Sequence, residues 1–300
     1  MKKQPTKPNS SNPVLTIIIL SFNVADLLVN CLDAIYKFNF DKFLSGDWEL
    51  LVSDNGSSDN TIEILRQKNY PGLKILQNGV NLGFAKGNNV AAKMVRGDYV
   101  LFLNPDTVVE KESIEFGLDY LRSHSNAGAV SVKLVLGSGR LDNTCHRGFP
   151  TPWNSFCFFV GLTKLFPTSR FFAGYILGHL NTNQQSEVDA INGAYFMMPK
   201  DLGKRLDWFD EDFFWKGEDL DLCYRIKEVG YKIMYLPQVK VWHYKGSSKG
   251  HKRGSKTLQA RFMVMRLFYD KHYKNKYPTW LREFVFLGIR MRELVANFGI

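Results

Sequence analysis

The first 136 residues alternate between short apolar β-branched runs and helical spacings, and this alternation restricts the fold of the 300-residue chain more than any other feature. Residues 14–21 are a continuous apolar run, the pattern of a strand buried on both faces. Residues 25–36 then bring Leu28, Leu32 and Ile35 onto one helical face. Further strands are predicted at 48–53, 73–76, 99–103 and 129–136, and further helices at 61–68, 84–95 and 110–123. Asn60 and Glu63 have the spacing of a capping pair for the helix at 61–68, and Asp59 offers another cap. Such alternation predicts an α/β fold, a Rossmann-like, mostly parallel sheet with helices on both faces.

Ligands of these sheets bind outside the carboxyl ends of the strands. Three such ends are polar here: Ser21-Phe22-Asn23, Asp54-Asn55-Gly56-Ser57-Ser58-Asp59 and Asn104-Pro105-Asp106. The alternation fades between 137 and 187, a stretch of glycine, aromatic and polar residues. Order returns with a strand-like run at 188–199, a helix at 218–229 and short strands at 232–235 and 239–243. Residues 257–298 read as helix broken near Pro278, a C-terminal helical extension. Residues 1–12, rich in Lys, Pro, Ser and Asn, read as a disordered tail.

Composition narrows the partners. The run at 14–20 is too short to cross a bilayer, and 156–180 is interrupted by Lys164, Pro167 and Arg170, so no spanning helix and no signal peptide are expected. Cys31, Cys145, Cys157 and Cys223 have neither metal-pair spacing nor a disulfide framework, so buried free thiols in a reducing compartment are expected. The net charge of +10, with basic residues crowding between 245 and 292, suits an anionic surface or a phosphorylated substrate. No helix-turn-helix, RRM or zinc motif is visible, so nucleic acid is not expected as a partner.

Each polar cluster has a structural reading beside a chemical one. Asp54 can accept a hydrogen bond from the ring N–H of a pyrimidine base, or simply shape the Asn-Gly turn after it. Asp106 can hold a divalent cation against a diphosphate, or belong to a turn and cap. Glu218 and Asp219 open a helix, where acids suit the dipole; beside Trp215, an apolar wall would make a carboxylate a usable base. Asp221 precedes Arg225 by one helical turn, which predicts an internal ion pair. His243 ends an apolar strand beside Lys245, Gly246, Lys249 and His251, a loop suited to phosphate.

In this order the set resembles the family 2 glycosyltransferases of the GT-A fold, most closely the bacterial rhamnosyltransferase-like branch. The resemblance runs from about 14 to 248 and is carried by the three clusters above. It continues in Asn81-Leu82-Gly83-Phe84-Ala85-Lys86-Gly87-Asn88, Asn192-Gly193-Ala194-Tyr195-Phe196, Glu218-Asp219-Leu220-Asp221-Leu222 and Val241-Trp242-His243. It implies a catalytic domain at 13–250, with a nucleotide-sugar half at 13–136 and an acceptor half at 137–250, then a helical segment at 251–300. Ser21, Asn23, Asp54, Asn81, Gly83, Asn88 and Asn104 would bind the donor, with Asp54 at the pyrimidine. Asp106 and His243 would hold Mg²⁺ or Mn²⁺; Asn104 departs from the acidic first position of the family's Asp-x-Asp motif. Asp219 would be the general base, with Glu218 the next candidate.

The implied activity is inverting transfer of a sugar, rhamnose among the options, from a dTDP- or UDP-sugar to a saccharide or lipid-linked acceptor in cell-surface polysaccharide synthesis. A nucleotidyltransferase would carry a Gly-rich basic loop where this chain has Ser21-Phe22-Asn23-Val24. A non-catalytic nucleotide-sugar binding module would lack Asp219, Asp106 or His243, and all are present. Between 279 and 298, aromatic and aliphatic residues mix with Arg282, Arg290 and Arg292, after Lys271, Lys274 and Lys276. That mixture suits a helix lying in an anionic headgroup layer at the cytoplasmic face of a membrane. Packing on the enzyme's own core or in a homodimer is the alternative.

Overall fold

A nine-stranded sheet runs through the computed structural model, which describes residues 12–214, 216–245 and 255–297. Trp215, the expected tail up to residue 11, and the expected phosphate loop with Gly246, Lys249 and His251 lie outside the described residues. Strands β1 (Leu15–Ser21), β2 (Trp48–Asp54), β3 (Leu73–Gln77) and β4 (Tyr99–Leu103) pair in parallel in the order β3-β2-β1-β4. Register places Ser21 beside Asp54 and Ile19 beside Leu103, so the three polar clusters share one rim. Helices α1 (Ala25–Leu44), α2 (Thr61–Lys68) and α3 (Phe84–Ala92) connect these strands.

Beyond β4 the sheet becomes mixed. β8 (Tyr195–Pro199) lies antiparallel between β4 and β6 (Ala127–Leu136), and β6 pairs in parallel with β9 (Lys232–His243). The short strands β5 (Thr107–Val109) and β7 (Ser186–Val188) pair antiparallel with β9. Helix α4 (Ser113–Ser123) follows β5, so the helix predicted from 110 starts three residues later. The patternless stretch contains α5 (Pro152–Phe159) and α6 (Leu162–Leu165). Helices α7 (Lys200–Arg205) and α8 (Glu218–Glu228) precede β9, and α9 (Ser255–His272) and α10 (Thr279–Asn297) form the C-terminal extension.

Several expectations are corrected by packing. Helix α1 runs past 36 to Leu44, bent at Asn39, because Phe43 is buried edge-on against Trp48. Asn60 makes no side-chain cap on α2. Asp59 takes that role, its Oδ1 accepting from Thr61 N at 3.2 Å and its Oδ2 from Ala25 N at 3.2 Å. The run at 188–199 is two strands parted at 189–194, where Arg147 and Ala190 exchange backbone hydrogen bonds. The two strands expected at 232–235 and 239–243 are one, with a register shift after Leu236 where Pro237 has no N–H to give the ladder. All four cysteines are free and buried, and Asp221 pairs with Arg225 at 2.7 Å, as expected.

The basic residues of the extension find partners on the protein itself. Lys271 bonds Asp210 and Asp212, Lys276 bonds Glu228, Arg282 bonds Asp270 and Arg266 bonds Glu293. His272 reaches Asp221 at 2.7 Å. Much of the basic charge read from the sequence as membrane attraction therefore fastens α9 and α10 to α8 and to each other. No helix among the described residues is long and apolar enough to cross a membrane.

Glu49, 3% exposed, is a charged residue near the start of the fully buried β2. Its carboxylate accepts from Thr16 Oγ1 (2.8 Å), from Arg96 N, Nε and Nη2 (3.1, 2.8 and 2.6 Å) and from Lys74 Nζ (3.2 Å). Burial alone would raise its pKa, but these donors outweigh burial and hold it below the ordinary 4.5. The stabilisation is therefore present above 4.5 and lost as the pH falls through the lowered value. Glu49→Ala is expected to cost about 3 kcal/mol in urea unfolding at neutral pH, by leaving the buried Thr16 hydroxyl and the Arg96 backbone N–H without their acceptor. The difference from wild type should shrink in acid.

Candidate active site

The rim at the ends of β1 and β2 is built from side chains that lock loops to one another. Asn23 sits in the left-handed region (φ 54°), and its Oδ1 accepts from Ser58 N at 2.7 Å. Ser57 Oγ accepts from Asn23 N at 2.9 Å, so the loops after β1 and β2 form one unit. Asp54 is nearly buried and accepts from Gly56 N (3.1 Å), Ser57 N (2.9 Å) and the Ser57 hydroxyl. Asn81 Oδ1 accepts from Gly83 N (2.9 Å) and Asn55 Nδ2 (3.3 Å). Gly83 has φ 80°, and a Cβ there would lie 2.6 Å from Phe214 O, so only glycine closes this turn without strain. Asn88 is buried and donates to Phe84 O within α3. Ser21 Oγ is buried with no hydrogen-bond partner.

At the end of β4 the chain turns directly into β5, whose Thr107 lies in register with His243 of β9. This pairing brings Asp106 to His243, with Oδ1 3.3 Å from Nε2. Asp106 Oδ1 is buried and makes no aligned hydrogen bond there. The other ring nitrogen, Nδ1, faces Asp142 Oδ2 at 2.9 Å. Asp142 also accepts from Lys245 Nζ (2.8 Å) and Thr144 N (3.1 Å). Burial would raise the Asp142 pKa, but His243, Lys245 and Thr144 hold it far below the carboxylate range. Burial would lower the His243 pKa, and the two aspartates outweigh it and shift it upward. A buried carboxylate oxygen without a donor, beside an imidazole nitrogen, is a donor set that fits a divalent cation. Among the described residues no group of three or more His, Cys, Asp or Glu is arranged to hold a metal, so other oxygens would have to complete the shell.

Asp219 and Glu218 open α8. Asp219 Oδ2 accepts from Arg147 Nη2 at 2.7 Å and from Gly193 N at 3.3 Å, and Oδ1 from Leu220 N at 2.7 Å. Burial would lower the Arg147 pKa, but the Asp219 charge outweighs it and keeps the guanidinium charged. Glu218 is buried with Oε2 unpartnered. Burial first, and then the Asp219 charge, push its pKa well above the ordinary 4.5. Two adjacent carboxylates thus have opposite environments, one ion-paired and one kept from ionising. The turn at 192–194 joins both halves of the site. Ala194 O accepts from Asn104 N (3.1 Å), Gly193 N reaches Asp219, and Asn192 Nδ2 donates to Thr144 Oγ1 (2.6 Å).

A family model described as glycosyl transferase family 2 matches residues 16–181, more than half of the chain. The chain belongs to glycosyl transferase family 2. Among its curated relatives is the rhamnosyltransferase WbbL of Escherichia coli, 26% identical over 66% of this chain and 73% of its own length. The N-acetylglucosaminyl-diphospho-decaprenol L-rhamnosyltransferase of Mycobacterium tuberculosis is 26% identical over 74% of this chain and 75% of its own. Solved structures share the fold. Staphylococcus aureus TarS 1-349 with UDP-GlcNAc has TM-score 0.58 at 20% identity, over 84% of this chain and 64% of its own. The mannosyltransferase PcManGT of Pyrobaculum calidifontis, with GDP-Man and Mn²⁺, has TM-score 0.61 at 19% identity, over 97% of this chain and 72% of its own. The GT-A architecture expected from the sequence is therefore present in this family 2 member.

Asp142 and Arg147 escaped the sequence reading. Both lie in the stretch without periodicity, and both reach the site through non-local pairing rather than a motif. Asp142 N donates to Leu134 O, folding the chain back along β6, and Arg147 is clamped to Ala190. The raised Glu218 pKa has a measurable consequence. Folded protein holds a proton that the unfolded chain releases, so this site favours folding below 4.5 and opposes it as the pH rises toward the folded value. Glu218→Gln is expected to flatten the decline in the thermal midpoint of this family 2 protein between pH 5 and pH 9. Parallel curves for variant and wild type would show that Glu218 ionises freely in the fold.

Proposed function

We propose that this protein transfers a sugar, with inversion, from a nucleoside-diphosphate donor to a saccharide or lipid-linked acceptor. The observation that carries the reading is the single turn at 192–194, which holds the Asp219–Arg147 pair beside the Asn104–Asp106 rim and the His243 network. A transferase needs a carboxylate at the acceptor and charge neutralisation at the leaving diphosphate within one short span.

The roles follow from the geometry. Asp219 takes the proton of the acceptor hydroxyl as it attacks the anomeric carbon opposite the leaving group, which inverts that centre. Arg147 holds the Asp219 carboxylate in place through its 2.7 Å bond, and burial raises the pKa of the neighbouring Glu218. Asp106 and His243 would hold Mg²⁺ or Mn²⁺, with Asp142 fixing the imidazole through Nδ1. When bound, the cation would neutralise the diphosphate as the sugar departs. Asn23, Asp54, Asn81 and Gly83 shape the cleft for the nucleotide, and Ser21 Oγ and Asn104 stand at its rim. The rhamnosyltransferase relatives support a deoxysugar donor such as dTDP-rhamnose and a lipid-linked acceptor in cell-surface polysaccharide synthesis.

Asp219→Asn keeps the shape and the fold, and is expected to lower turnover by about 10²-fold or more, the usual scale for a positioned base. Affinity for UDP or dTDP, measured by calorimetry, should hardly change. Equal turnover in variant and wild type would remove Asp219 from the chemistry. Chelation with EDTA is expected to abolish transfer, and Mg²⁺ or Mn²⁺ to restore it. Asp106→Asn should weaken Mn²⁺ binding to the nucleotide complex, read directly by the paramagnetic signal of the free ion.

A further inference from the structure

Helix α10 is apolar on two sides. One side packs on α9, with Ile289 buried and the Phe286 ring 5.7 Å from Tyr269. The other carries Trp280, Phe284, Leu287, Met291 and Leu294, each 53–67% exposed and spaced by four and three residues in turn. That spacing is one continuous stripe along the helix. A second exposed group lies on α5, α6 and the loop after them: Trp153, Phe156, Val160, Leu165, Phe166 and Phe171, 41–69% exposed. The two groups meet where the Arg292 guanidinium lies 5.2 Å over the ring of Phe159, the last residue of α5. Apolar patches of this extent mark a binding surface rather than ordinary solvent-facing scatter.

Charge selects the occupant. Between Asp142 and Glu187 the sequence contains no Asp or Glu, and Lys164 and Arg170 lie exposed among the aromatics. On α10, Arg290 and Arg292 are exposed, whereas Glu283 and Glu293 are engaged by Arg282 and Arg266. A second copy docking face to face about a two-fold axis would bring this basic apolar surface against itself, and like charges would repel. An anionic lipid surface complements both features. Its headgroups meet the basic residues, and its acyl boundary receives the aromatic ones.

We propose that the exposed faces of α10 and of α5–α6 form one surface by which the protein lies on an anionic membrane. The segment is well placed for this. Arg147, which holds Asp219, leads within a few residues into α5, where Asn154 Nδ2 donates to Phe149 O. An acceptor carried by a lipid would then reach the site from the membrane side. The inference deepens the transferase reading, and nucleotide affinity reports on that reading separately.

The test is co-sedimentation of the full chain with vesicles of phosphatidylglycerol and phosphatidylcholine, beside phosphatidylcholine alone. Wild type should pellet with the anionic vesicles only. Phe156→Glu on α5 and Phe284→Glu on α10 should each weaken binding by about tenfold or more, leaving UDP and dTDP affinity unchanged. Lys164→Glu and Arg290→Glu exchange exposed charges outside the packing, and should weaken binding even if the aromatic variants fold poorly. Wild type remaining in the supernatant would overturn the proposal. So would an α5–α6 variant, Phe156→Glu or Lys164→Glu, that folds and pellets like wild type. A stable dimer in light scattering that Phe284→Glu dissolves would assign the surface to a second copy instead.

Discussion

The site depends on the register between the three-residue edge strand β5 and its neighbour β9. Thr107 lies opposite His243, and this single alignment places Asp106 against the imidazole while Leu136 of β6 flanks it from the other side. A slip of one residue would turn His243 to the opposite face of the sheet, since side chains alternate along a strand. The Asp142 carboxylate fixes the ring once it arrives, and Lys245 and Thr144 fix Asp142 in turn. What looks like a collection of polar residues is a chain of dependencies anchored in backbone pairing.

The same economy governs the carboxylates of α8. Three acids crowd the first turn, where the helix dipole favours them, yet each has a different environment. Asp221 is bound by Arg225 and His272, Asp219 is held by Arg147, and Glu218 is buried beside the Asp219 charge. Helical position alone makes these residues equivalent. Tertiary partners make them different, so one turn of helix holds three carboxylates in three distinct environments.

The legibility of the sequence followed how local each signal was. The parallel strands β1 to β4 announced themselves because a strand buried on both faces must be apolar at every position. Their polar ends pointed to the rim that the register indeed assembles, and the ordered motifs led to the family. Strand β5 is three residues long, too short for any period, and β9 looked like two strands because Pro237 interrupts its ladder. Asp142 and Arg147 are isolated charges whose meaning comes from partners about fifty to a hundred residues away along the chain. The basic residues of the C-terminal helices were visible, but their acidic partners on α8, on the 210–212 loop and on each other were not.

The β5–β9 pairing also sets an order of assembly. The strands β1 to β4, which carry the polar rim, lie well before β9, the strand that brings His243. Pairings between distant segments form late because closing the intervening chain is slow. A growing polypeptide would thus possess the polar rim at the ends of β1, β2 and β4 before it possesses the contact between Asp106 and His243. The pairing that completes the site is deferred until the local strand pairs have formed.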